Sequence, residues 1–126
     1  MLKKITLAAA VAMTCLSGLA FADAPAKVAD TGAGKVLVDA KGMTLYTFTK
    51  DTAGKSVCNG PCATNWPPLP AAAGAKAADG YSIVTRDDGS KQWAYKDMPL
   101  YSWVKDGKPG DTKGDGVNQV WHVAKP

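Results

Sequence analysis

The sequence predicts a mainly β protein in which two similar antiparallel β-hairpin units share one domain, with a short helical turn at a Cys-x3-Cys segment. Three observations carry that expectation. The first is an internal repeat: Leu45-Tyr46-Thr47-Phe48-Thr49-Lys50-Asp51 returns 55 residues on as Leu100-Tyr101-Ser102-Trp103-Val104-Lys105-Asp106. Gly34 and Gly89, Lys41 and Lys96, Met43 and Met98, and Trp66 and Trp121 fall in the same register. Self-similarity at one period marks copies of a single supersecondary unit. The second is that all 11 acidic residues are Asp and none is Glu; Asp prefers turns and caps to helix interiors. The third is a succession of short Val-, Thr- and aromatic-rich runs bounded by Gly- and Asp-containing turns, the pattern of linked hairpins.

Taken in order, residues 1–22 read as a secretory signal peptide. Lys3 and Lys4 supply the positive start, Ile5 to Leu19 the apolar run, and Ala20-Phe21-Ala22 the cleavage site. That run falls short of the roughly 20 residues a spanning helix needs, so the mature chain is expected to have no transmembrane helix. Loss of Lys3 and Lys4 leaves 13 cations against 11 acids, about +2, with the lysines scattered. Nucleic acid calls for a concentrated basic patch, and is excluded on that ground. Residues 23–33 are small, polar and aperiodic, and are expected to form a flexible N-terminal arm.

The domain is then expected to span 34–126, as repeats at about 34–69 and 81–124 joined by a loop at 70–80. Lys35 to Asp39 and Met43 to Thr49 read as the first hairpin, turning at Ala40-Lys41-Gly42. Alternation places Tyr46 and Phe48 on one face and Met43, Leu45 and Thr47 on the other, which allows burial on both sides. Pro61 suits the first position of a short helix carrying Cys62 and Trp66, which Pro67 and Pro68 would end. The Ala-rich segment after Pro70 has no large apolar residue with which to anchor. Tyr81 to Arg86 and Lys91 to Tyr95 flank Asp87-Asp88-Gly89-Ser90, a strong hairpin signal. Pro99 belongs at a strand start or edge, and Asn118 to Val123 is the last strand, for six strands and one short helix.

The paired motifs Tyr46-x-Phe48-x-x-Asp51 and Tyr101-x-Trp103-x-x-Asp106 make the chain resemble the bacterial "secreted repeat of unknown function" family. That family is also described as predicted lipoproteins with a Y-x-(F/W/Y)-x-x-D motif. The block from Cys58-Asn59-Gly60-Pro61-Cys62-Ala63 to Trp66-Pro67-Pro68-Leu69, the run Thr85-Arg86-Asp87-Asp88-Gly89 and the ending Val120-Trp121-His122-Val123-Ala124 look like it too. The resemblance implies a periplasmic or cell-envelope location, a duplicated unit and no established activity. One departure is Thr14 before Cys15, where lipoprotein signals carry a small residue such as Gly or Ala.

Candidate sites follow from the residue types. Cys58 and Cys62 remain after cleavage, and exported thiols oxidise. Extended, they would stand about 13 Å apart, beyond the roughly 4.4–6.8 Å a disulfide spans, so Gly60-Pro61 must turn the chain. A structural disulfide is the first expectation; a redox pair, or a copper or zinc site with His122 as third ligand, is the alternative. His122 is the single histidine, expected on the strand face opposite Trp121 and Val123. Asp51 and Asp106 are expected to accept backbone amides in the turns after their strands, with a carboxylate pair as the rival role. Asp106, Asp111 and Asp115 lack EF-hand spacing. No G-x-S-x-G, H-E-x-x-H or C-x-x-C-H pattern occurs, so no catalytic residue and no cofactor is expected. The function read from the sequence is an exported binding or structural module acting on an envelope ligand or protein.

Overall fold

The computed structural model describes residues 25–126; the expected signal peptide and Cys15 lie outside them. Seven strands, one α-helix and one 3₁₀ turn follow in chain order among the described residues: β1 Lys27–Thr31, β2 Gly34–Val38, β3 Tyr46–Phe48, α1 Pro61–Asn65, β4 Tyr81–Thr85, β5 Lys91–Tyr95, β6 Met98–Pro99, the 3₁₀ turn Val117–Gln119 and β7 Trp121–Val123. All pairings are antiparallel: β1 with β2, β3 with β7, and β4 with β5 with β6. The mainly β, hairpin-built fold with one short helix at the cysteines is therefore as expected.

Within the N-terminal arm expected at 23–33, the described residues include a strand. Residues 27–31 form β1, which pairs residue for residue with β2 from Lys27 opposite Val38 to Thr31 opposite Gly34. Thr31 closes the turn: its hydroxyl donates to the Gly34 carbonyl at 2.9 Å and accepts from Ala33 N–H at 3.1 Å. Small polar residues make a strand here because β2 offers a complete ladder and Ala29 packs on the core, context that outweighs weak strand propensity.

The second hairpin forms where Asp-Gly places it. Asp88 accepts from the Ser90 amide and hydroxyl at 2.9 and 2.6 Å, and Gly89 takes a positive φ of 89°. β5 then turns into β6 through Lys96 and Asp97, both with positive φ, as a two-residue hairpin loop demands. The first expected hairpin is altered. Asp39 N–H bonds Met43 O at 2.9 Å and Leu45 N–H bonds Leu37 O at 2.9 Å, yet β3 takes its ladder from β7. Pro99 lies in the two-residue strand β6, and the expected last strand, Asn118 to Val123, loses its start because Asn118 and Gln119 adopt positive φ.

Period-two alternation divides the interior into two clusters. Val36, Val38, Tyr46, Tyr101 and Val123 point into one, with Trp66 and Trp121. Their neighbours Leu37, Leu45, Leu100 and Ala124 point into the other, with Tyr81. The segments carrying them are thus buried on both faces, as Tyr46 and Leu45, each fully buried, illustrate. No helix among the described residues is long and apolar enough to cross a membrane.

Candidate functional site

The two motif copies meet at their tyrosines. Tyr46 N–H donates to Tyr101 O at 2.7 Å and Tyr101 N–H returns the bond to Tyr46 O at 3.0 Å. Reciprocal bonds of this kind make an antiparallel pair, and they put a pseudo-twofold relation between the repeats at this point. Each strand ends in the same turn: Asp51 N–H bonds Phe48 O at 3.0 Å, and Asp106 N–H bonds Trp103 O at 3.1 Å.

The aspartates cross over. The Tyr46 hydroxyl donates to Asp106 Oδ2 at 2.6 Å, and the Tyr101 hydroxyl donates to Asp51 Oδ2 at 2.6 Å. Each second carboxylate oxygen accepts an amide of its own following loop: Asp51 Oδ1 from Val57 at 2.8 Å, and Asp106 Oδ1 from Lys113 at 2.9 Å. Asp51 and Asp106 are only 5% and 7% exposed, so these bonds replace the water a carboxylate needs. Burial pushes the Asp51 carboxyl above its ordinary range, against the lowering effect of Tyr101, Val57 and Arg86. Burial, with the facing carboxylate, also raises both tyrosine hydroxyls well above their usual value near 10.

The two halves are finished differently. The Tyr46 hydroxyl accepts from Gly114 N–H at 3.1 Å. At Tyr101 the partner is Ser56 Oγ at 2.6 Å; since the Tyr101 proton goes to Asp51, Ser56 is the donor. Behind Ser56 lies Arg86, 5% exposed. One guanidinium nitrogen donates to Ser56 Oγ and to Gln92 Oε1, each at 2.8 Å, and the other to Cys58 O at 2.6 Å. Gln92 Nε2 in turn donates to Leu100 O at 2.7 Å. Both terminal nitrogens of the buried charge are thus engaged, as a buried polar network requires.

Over the tyrosines lie four stacked rings. Trp66 and Trp121, equivalent in the repeat, stack at 3.8 Å with planes 4° apart. Trp103 covers Trp66 at 3.8 Å, and its counterpart Phe48 covers Trp121 at 4.2 Å. Tyr46 and Tyr101 meet Trp66 and Trp121 edge-on at 5.4 and 5.1 Å. Offset and edge-to-face contacts such as these contribute about 0.5–1.5 kcal/mol each beyond burial.

Cys58 and Cys62 form a disulfide that ties the segment before α1 to its first turn, with α-carbons 5.2 Å apart, so neither sulfur stands as a thiolate for a metal. His122 is on the exposed face of β7, with Trp121 and Val123 buried on the other, and its Nδ1 is 4.0 Å from Asp115 Oδ1. Asp111 accepts from Gly107 and Lys108 amides, and Asp115 from Val123 N–H at 3.1 Å. Among the described residues no group of three or more His, Cys, Asp or Glu is placed to hold a metal ion. Sequence reasoning gave no role to Arg86, Ser56, Gln92 or Gly114. The one available signal was Arg86 itself, a strand-end arginine ahead of the Asp-Asp-Gly turn.

Residues 27–70 and 82–125 each match the family described as a secreted repeat of unknown function, and the chain belongs to it. No curated protein and no solved structure matches the chain.

Proposed function

We propose that the protein is a non-enzymatic module of the periplasm or cell envelope, whose duplicated core is a rigid scaffold holding its loops toward an envelope ligand or protein. The observation that carries this reading is the direction of the motif. Tyr46, Asp51, Tyr101 and Asp106 are all buried and spend their polar atoms on one another and on loop amides. A group meant to meet substrate would keep an open lone pair or proton facing a cleft. The family description as secreted supports an exported location.

The test combines fractionation with photocrosslinking of the full chain in cells. Photoreactive residues at Val57 and Val104, 46% and 51% exposed, are expected to give a discrete adduct in the periplasmic or envelope fraction. Retention in the cytoplasm would sink the reading, as would turnover of a substrate by purified protein that is lost in Asp51→Asn or Asp106→Asn.

A further inference from the structure

Indole and phenol are readily oxidised side chains, and the fold sets five of them, Trp103, Trp66, Trp121, Tyr46 and Tyr101, in one contiguous group. Trp103 is half-buried at one end of the stack, and Trp66 beneath it is 4% exposed. Tyr46, fully buried, meets Trp66 edge-on at 5.4 Å. The other end is capped by Phe48 on Trp121. A benzene ring gives up an electron far less readily than indole or phenol, so the stack is open to oxidants at Trp103 and closed at Phe48.

A phenol oxidised inside a protein must lose its proton at the same time, because the radical cation is a strong acid and no water is at hand. Tyr46 has a built acceptor: Asp106 Oδ2 at 2.6 Å. Its hydroxyl oxygen also receives Gly114 N–H, a donor that stays in place once the proton has moved. Tyr101 has the equivalent carboxylate but is one ring further from Trp103, and Arg86 donates to the Ser56 hydroxyl that touches it. A guanidinium there opposes an arriving positive charge, whereas the Tyr46 hydroxyl meets only the Asp106 carboxylate and the Gly114 amide. Both distance and charge select Tyr46.

We infer that the stack conducts oxidising equivalents inward: a one-electron oxidant at the surface takes an electron from Trp103, and the vacancy passes through Trp66 to Tyr46, whose phenolic proton moves to Asp106. The balance is complete. The oxidant gains one electron, the Tyr46 O–H bond breaks, an O–H bond forms on Asp106, and the products are a neutral tyrosyl radical and a protonated carboxyl. The activity goes beyond the scaffold reading and does not depend on it.

The test is flash oxidation of the full-length exported protein with a photo-generated ruthenium(III) polypyridyl complex, followed by freeze-trapped electron paramagnetic resonance. Wild type is expected to give a neutral tyrosyl signal. Tyr46→Phe is expected to lose it and show a tryptophanyl signal instead, while Tyr101→Phe keeps it. Trp103→Phe leaves Tyr46 untouched and yet is expected to lose the tyrosyl signal, which a purely structural role for Trp103 would not produce; circular dichroism checks that it folds. Should Tyr46→Phe fail to fold, Trp103→Phe carries the test alone. An undiminished tyrosyl signal in folded Trp103→Phe overturns the inference, since the radical would then form without passing through Trp103, on a half-buried tyrosine such as Tyr95. Loss of the signal in Tyr101→Phe alone overturns it equally.

Discussion

Tyr46 is bound to the aspartate of the other copy: its hydroxyl donates to Asp106 Oδ2 at 2.6 Å, while Asp51, which closes its own motif, is held by Tyr101. The repeat therefore works as an exchange, in which each copy's tyrosine hydroxyl donates to the other copy's carboxylate. Four predictions follow from that arrangement and its surroundings.

The first concerns coupling. Double-mutant cycles combining Tyr→Phe with Asp→Asn are expected to give an interaction of about 0.5–3 kcal/mol for Tyr46 with Asp106 and for Tyr101 with Asp51. The same-motif pairs Tyr46 with Asp51 and Tyr101 with Asp106 are expected to be close to additive. Each single Tyr→Phe change is expected to cost about 1–3 kcal/mol, because it leaves a buried carboxylate short of a donor. Urea denaturation measures all of these, and larger coupling within a motif than across motifs would refute the exchange.

Gly114 tests the packing beneath the stack. A Cβ there would lie 2.8 Å from Trp66 Cη2 and 2.9 Å from Tyr46 Cε2. Gly114→Ala is expected to destabilise by about 1–3 kcal/mol, the usual cost of overpacking. Gly32→Ala is the control, since nothing lies within 4 Å of its Cβ position, and it should leave the denaturation midpoint unchanged.

Stability should fall steeply in alkali. A tyrosine whose folded pKa is raised above the ordinary 10 keeps its proton in the native state after the unfolded chain has lost it. The native state then binds more protons, so stability declines with rising pH. The contribution is intact below pH 10 and disappears above it. In the double variant Tyr46→Phe/Tyr101→Phe this decline is expected to flatten. An unchanged slope of unfolding free energy against pH, measured from pH 9 to 11.5, would show that the two hydroxyls are not the cause.

Reduction of the disulfide should weaken one half of the network more than the other. The bridge closes a short loop whose entropic restraint contributes about 2 kcal/mol. Cys58 O receives Arg86, and Ser56 and Val57 of the same segment serve Tyr101 and Asp51. Hydrogen exchange after reduction is expected to rise at Val57 N–H while Lys113 N–H, its counterpart beside Asp106, stays protected. Equal loss at both amides would contradict the asymmetry.

Much of the fold could be read before any coordinates. The Asp-Gly hairpin, the turn at Gly60-Pro61 and two-sided burial around Tyr46 follow from local rules, and the disulfide forms where two cysteines are brought close by a turn. β1 was missed because its composition is that of a linker. Its partner strand, which no window of residues 23–33 contains, is what makes it a strand. Carrying the repeat register upstream from Gly34 and Gly89 would have set residues 27–31 against 82–86, most of which is β4.

The sequence by itself determined that this is a duplicated, β-rich chain with one repeated Tyr-x-aromatic-x-x-Asp motif, because period, turn chemistry and composition are properties of neighbours along the chain. Only the tertiary structure decided which tyrosine serves which aspartate, that Arg86 is buried behind Ser56, and that the four rings stack in the order Phe48, Trp121, Trp66, Trp103. Those pairings join residues far apart in sequence, and a buried polar group takes whichever partner the packed chain brings within reach.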